Sequence, residues 1–160
     1  MITKYLWLML ACVSFFSVAQ NDKDKQAISN VLDQFHQAAA DANAQVYLNQ
    51  LTNDAIFLGT DASERWTKQQ FSDFVLPYFT QGKGWLYVPK ERNISLLKQS
   101  SVAFFDEVLN NEKYGYCRGS GVLIQTEQGW KISQYNLALL VPNDIATQVA
   151  EKIKNYEQAK

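Results

Sequence analysis

The chain has 160 residues, of which 47% are hydrophobic and 13% aromatic, and a formal net charge of -1. That is enough apolar matter for one packed domain and too much for a disordered chain. Only three arginines occur (Arg65, Arg92 and Arg118) and no basic block or stripe is present, so the clustered cations of a nucleic-acid surface are missing.

The first element reads as a targeting segment. Lys4 supplies a short positive start, an uncharged apolar run follows, and Ser17 and Ala19 stand at the small-residue positions of a cleavage site. The expectation is a secretory leader at 1–19, cut after Ala19, and a domain at 20–160. The run is slightly short for a membrane span, which needs about 20 apolar residues. Cleavage leaves Cys117 as the one cysteine, so no internal disulfide forms. A periplasmic or secreted protein, with no membrane association once the leader is gone, is the reading.

Downstream, Ile28, Val31, Leu32, Phe35, Ala39 and Ala42 recur at helical spacing, which predicts one amphipathic helix over 25–44. The lone His36 lies beside this stripe and reads as a solvated helix histidine. "VYLNQL" predicts a short second helix and "AIFLGT" a strand. "DASERW" is a polar loop, whose Asp61, Glu64 and Arg65 read as solvated. Thr67 and Gln70 form a capping box that opens a third helix carrying Phe71, Phe74, Val75 and Tyr78, with Pro77 distorting its end. From Trp85 the pattern turns to strands: "WLYVP", "RNISLLK", "SVAFFDEVL", "KYGYCRGSGVLIQT" and "GWKISQYNLALLV". The breaks between the later strands are short enough for hairpins. A last helix, capped by Asn143, places Ile145, Val149 and Ile153 on one face. The order predicts an α+β fold: a curved antiparallel sheet with helices packed on one side.

Hairpin pairing assigns faces. A loop of two or four residues centred on Asn111 and Glu112 sets Leu109 opposite Tyr114 and Asp106 opposite Cys117. A two-residue turn at Glu127 and Gln128 sets Leu123 opposite Ile132. One face then carries Phe104, Asp106, Cys117, Gly119, Gly121, Leu123, Trp130, Ile132, Gln134 and Asn136. The two glycines leave a hollow there, ringed by Asp106, Gln134 and Asn136, in the form of a small-molecule site. The other face places Glu107 diagonal to Arg118, beside Tyr116 and Tyr135, and suits a homodimer interface. A one-residue change in loop length exchanges the roles of Asp106 and Glu107.

"FLGTDASERW", "PYFTQGKGW", "FFDEVLNNEKYG", "CRGSGVLI" and "GWKISQYNLALLVPND" together resemble the SnoaL-like branch of the nuclear transport factor 2-like superfamily, over about residues 26–157. The resemblance implies a cone-shaped α+β barrel, its sheet wrapped around the N-terminal helices, with a central pocket and a C-terminal helix. It also implies a range of roles, from cyclases, isomerases and dehydratases to pure binding proteins. The pocket histidine of many relatives is absent, since the late strand has Gln134 and Asn136.

Two functions follow. The first is a module that holds a small, largely apolar molecule, with Trp66, Phe104, Cys117, Trp130, Gln134 and Asn136 as ligand-binding residues, and Phe79 and Trp85 near the mouth. The second is a cofactor-free cyclase, isomerase or dehydratase in which Asp106 is the catalytic acid or base. A carboxylate in an apolar cavity is desolvated, and desolvation favours its protonated form, which suits proton transfer near neutral pH. Cys117 has no histidine near it in sequence and reads as an inert buried thiol. No metal-ligand cluster and no phosphate loop is present in the sequence, so neither metal nor cofactor is expected.

Overall fold

The computed structural model describes residues 3–97 and 101–159, with side chains from residue 20 onward. Helix α1 runs Thr3–Ala40, and the expected leader falls in its first half, where side chains lie outside the described residues. Further on, α1 follows the predicted stripe: Ile28, Leu32, Phe35 and Ala39 are buried and form the helical side of the core. Helix α2 (Ala44–Asn49) is capped by Asn43, whose side chain accepts from the Val46 amide. Strand β1 (Leu51–Leu58) turns through the 59–64 loop into β2 (Arg65–Thr67). Helix α3 (Lys68–Phe79) opens on the predicted capping box, with both Thr67–Gln70 bonds made, and buries Phe71, Val75 and Phe79. Pro77 sits in its last turn without ending it.

The remaining strands are β3 (Val88–Leu96), β4 (Val102–Asn111), β5 (Gly115–Thr126) and β6 (Gly129–Leu139), followed by helix α4 (Asn143–Gln158). They form one six-stranded sheet in the order β2-β1-β6-β5-β4-β3, wrapped against α1, α2 and α3. The fold is α+β, as expected. The sheet is not wholly antiparallel, since β1 and β6 pair in parallel. β1 is separated from the hairpin series by α3 and returns to cover its edge.

Two local expectations are corrected, and a third is not reached by the described residues. "WLYVP" is not a strand of its own. Only Val88 and Pro89 join β3, and 83–87 run irregularly because Gly84 lies against the end of α1, where Trp85 donates its amide to the Ala39 carbonyl at 3.1 Å. Helix α4 takes Pro142, not Asn143, as its N-cap, with no side-chain cap bond, and none of its residues is buried. The expected break at 99–101 falls largely on residues outside the described ones.

The largest correction concerns register. Leu109 pairs with Cys117 and Asn111 with Gly115, so the hairpin is displaced by three residues from the expected pairing. The connection has three residues, Glu112 to Tyr114. Asn111 Oδ1 accepts the amides of Lys113 and Tyr114 at 3.1 and 3.0 Å, and Gly115 closes the turn at φ 71°. An odd displacement turns every β4 side chain to the other face. In β6 a bulge does the same to its second half. Leu123 pairs with Ile132 but Val122 pairs with Gln134, leaving Ser133 as the extra residue. Trp130 and Ile132 therefore face the core as expected, whereas beyond the bulge it is Tyr135 and Leu137 that do so.

Candidate functional site: an aromatic cavity and a separate ion network

The inner face of the sheet carries Phe105, Glu107, Leu109, Cys117, Leu123, Ile132 and Tyr135, all buried. Glu107 is 0% exposed and is the one buried carboxylate among the described residues. Its Oε1 receives the His36 Nε2–H at 2.6 Å and the Tyr135 hydroxyl at 3.2 Å. Its Oε2 receives Arg92 Nε–H at 2.9 Å. Arg92 Nη1 continues to Ser29 Oγ at 3.0 Å, the Ser29 carbonyl at 3.1 Å and Asp33 Oδ1 at 2.7 Å. Burial alone would raise the Glu107 pKa. The hydrogen bond and charge of His36, together with Arg92, outweigh it and hold the carboxyl below its ordinary value. The group is ionised at neutral pH and acts as acceptor throughout. One network thus ties α1 to β3, β4 and β6.

His36 is not solvated: it is 7% exposed and faces Glu107. Nor is there a hollow over the glycines. A Cβ on Gly119 would lie 2.3 Å from the Tyr135 hydroxyl and 2.9 Å from Glu107 Oε1, and one on Gly121 would lie 2.0 Å from the Gln134 carbonyl and 3.0 Å from the Phe105 ring. The volume those glycines free is the volume that Tyr135, Glu107 and Phe105 occupy. Asp106 turns to the outer face, where Arg118 Nη1 meets its Oδ2 at 3.3 Å, with both side chains partly exposed. The Glu107–Arg118 pair does not form; Arg92 takes Glu107 and Asp106 takes Arg118.

The cavity lies elsewhere, at the end of the sheet where α3, the 83–87 segment and the β4–β5 turn converge. Its volume is about 910 Å³. Nine aromatic residues line it among those described: Tyr47, Phe57, Trp66, Phe71, Phe74, Tyr78, Trp85, Tyr87 and Tyr114. One wall is continuous, with Phe57 stacked on Phe71 at 3.9 Å, Trp66 on Phe74 at 4.8 Å, and Trp85 tilted against Phe79 at 4.7 Å. The opposite wall is Leu86 to Val88 and Asn110 to Tyr114. Asn111 braces both, since its Nδ2 donates to the Leu86 carbonyl at 2.9 Å.

The cavity and the ion network are separated by Tyr135. Its ring stacks on Phe57 of the cavity wall at 5.3 Å and its hydroxyl reaches Glu107 on the far side. Neither His36, Arg92 nor Glu107 lines the cavity. Burial, then the nearby Glu107 charge, pushes the Tyr135 phenol well above its usual value, so it remains a neutral partition at any physiological pH.

Of the residues expected from the sequence to bind ligand, Trp66 lines the cavity. Phe104 is 48% exposed on the outer face. Gln134 and Asn136 alternate with the inward Tyr135 and Leu137 and turn outward with it. Cys117 is buried below the cavity, and burial raises its thiol pKa. Trp130 is buried in the core, its indole N–H directed to Asp24 Oδ1 at 3.4 Å. Trp85, expected near the mouth, does line the cavity, and Phe79 packs behind it. Glu64 also lines it, while its Oε2 accepts the Asp61 amide at 3.1 Å. Tyr47, Phe57, Phe71, Phe74, Tyr78, Tyr87 and Tyr114 were not expected as wall residues. The signal for the true register was present in Asn111 and Gly115, which suit a three-residue turn closed by a left-handed glycine.

This geometry, a curved sheet around helices with a cavity at one end, defines a nuclear transport factor 2-like (NTF2-like) cone. The SnoaL-like domain family model matches residues 28–142, and the chain belongs to that family. Among solved structures it is similar to a candidate dehydratase of the NTF2-like family from Streptomyces avermitilis (9% identity, TM-score 0.65, covering 76% of this chain and 99% of that one). It is also similar to a candidate scytalone dehydratase (10%, 0.65, 78% and 89%) and to an NTF2-like protein with a cystatin-like fold (11%, 0.62, 85% and 94%), both from Novosphingobium aromaticivorans. At such identities the likeness is one of fold. No curated protein matches the chain in sequence.

Proposed function

We propose that the domain binds a small, largely apolar molecule in the aromatic cavity, and does so without chemistry at Asp106. The observation that carries this reading is the partition. The interior acid–base pair, His36 and Glu107, lies behind Tyr135, while the cavity wall itself is aromatic. An acid that could move a proton must come within hydrogen-bond reach of the ligand. Asp106, on the outer face against Arg118, is not placed for that. Aromatic walls suit apolar ligands, which gain roughly 25 cal/mol for each Å² of apolar surface withdrawn from water, and polar residues such as Glu64, Asn111 and Lys113 interrupt the lining.

The test is a titration with the neutral fluorophore N-phenylnaphthylamine. Saturable enhancement is expected, with energy transfer from tryptophan. Trp66→Ala weakens it by about fivefold or more, because truncating a buried aromatic contact costs on the order of 1 kcal/mol or more. Absence of saturable binding would contradict the reading.

Compartment and assembly belong to the same proposal. The leader is removed after Ala19, giving a periplasmic or secreted domain. The domain pairs with a second copy through the outer sheet face, now on Phe104, Tyr116, Asp106 and Arg118, since Glu107 and Tyr135 turn inward. Native mass spectrometry of the protein recovered from the producing cell should give a dimer whose chains begin at Gln20. A monomer rejects the interface, and chains retaining residues 1–19 reject the leader.

A further inference from the structure

The polar groups of the cavity are unevenly engaged. The Asn111 amide is spent on the turn, donating to Leu86 and accepting from Lys113 and Tyr114. Glu64 accepts the Asp61 amide. Thr60 and Glu112 are exposed at the lip. Tyr47 is buried, and its hydroxyl oxygen accepts from the Trp85 indole N–H. The Tyr87 hydroxyl, by contrast, makes no hydrogen bond to any described residue, although its side chain is half-buried in the wall. It lies within electrostatic reach of Glu64 and Tyr114 on the wall and of Cys117 below, and its charge would also be felt by Tyr47 and Tyr135. Tyr78 and Tyr114 also bring hydroxyls to the lining, but they are 46% and 44% exposed, so Tyr87 is the most enclosed of these unused donors. Burial, with smaller contributions from Cys117, Tyr114 and Glu64, pushes its phenol up to about 12, so the proton stays in place. Burial and the nearby Glu64 carboxylate oppose any negative charge beside it.

Resting on the reading of the cavity as a ligand site, we propose that Tyr87 is a specificity-determining residue, which selects apolar molecules carrying one uncharged acceptor oxygen over pure hydrocarbons and over carboxylates. A carbonyl oxygen entering an apolar cavity loses its hydration, so without a donor the oxygenated molecule binds more weakly than its hydrocarbon counterpart. With Tyr87 donating, the order reverses. A carboxylate is penalised by desolvation and by Glu64 and Glu112, against which, among the described lining residues, the exposed Lys113 is the one cation.

The experiment compares three probes on one naphthalene scaffold, methyl naphthyl ketone, ethylnaphthalene and naphthoate, by calorimetric titration of the wild-type domain and of Tyr87→Phe. In the wild type the ketone is expected to bind about fivefold tighter than ethylnaphthalene, as one net hydrogen bond allows, with naphthoate weakest. In Tyr87→Phe the ketone loses its advantage while ethylnaphthalene is unchanged. Equal ketone and hydrocarbon affinities in the wild type, naphthoate binding tightest, or a preference that survives in Tyr87→Phe overturns the assignment. The wild-type series decides even if the variant folds poorly. If none of the three probes binds, the cavity reading itself fails along with it.

Discussion

Glu107→Ala is expected to cost the fold about 3–5 kcal/mol, because it leaves Arg92 buried without its counter-charge and His36 without its hydrogen-bond acceptor. That is a large share of the roughly 5–15 kcal/mol by which such a domain is stable. Urea unfolding followed by circular dichroism measures it. Asp106→Asn, one residue away but on the exposed face, should stay within about 0.5 kcal/mol of the parent. The pair of variants reads the strand register directly, and equal costs would contradict it.

The same carboxylate sets an acid limit. Its folded pKa lies below the ordinary 4.5, so the stability it confers is complete above that value and is lost as pH falls through the lowered one. Glu107→Ala should flatten the acid limb of the stability curve below about pH 4.5.

The second large effect is expected at Gly84. A Cβ there would stand 2.3 Å from the Ala39 carbonyl oxygen and 2.6 Å from that of Ala40, and backbone atoms do not swing aside. Gly84→Val must push the 83–87 segment off α1, carrying Trp85 and Tyr87 with it. The expected loss is about 1–3 kcal/mol of stability, and affinity for N-phenylnaphthylamine should fall at least about tenfold, since two wall residues move together. Gly82→Ala supplies the control. Its φ of 70° strains any other residue, but no atom lies within 4 Å of the added carbon. It should lower stability by about 1–2 kcal/mol and leave binding intact. If both variants bind the probe normally, the 83–87 segment is not a wall of the site.

The helices were legible because their signals are local. The Ile28–Leu32–Phe35–Ala39 spacing and the Thr67–Gln70 capping box each specify their element within a few residues. The sheet was legible as a series of strands, while the assignment of its faces was not. Face assignment depends on the parity of every turn and bulge, and one uncounted residue inverts all that follows. The three-residue turn after Asn111 inverted β4, and the Ser133 bulge inverted the end of β6. Those two features moved Glu107 and Tyr135 inward and Asp106, Gln134 and Asn136 outward. His36 was misplaced for a related reason. It flanks the apolar stripe of α1, and only the arrival of Glu107 from 71 residues away makes its burial favourable. The aromatic wall was partly visible in Trp66 and Trp85. Tyr87 was hidden because "WLYVP" reads as a strand until Gly84 is seen against the end of α1.

Binding at the aromatic wall is read residue by residue in the nitrogen–proton correlation spectrum of the domain 20–160, followed during titration with N-phenylnaphthylamine. Three indole signals are expected, from Trp66, Trp85 and Trp130. Trp66 and Trp85, on the cavity wall, are expected to shift together and saturate, while Trp130, in the core and directed to Asp24, stays in place. A saturating shift confined to Trp130, or none at Trp66 and Trp85, would contradict binding at this wall.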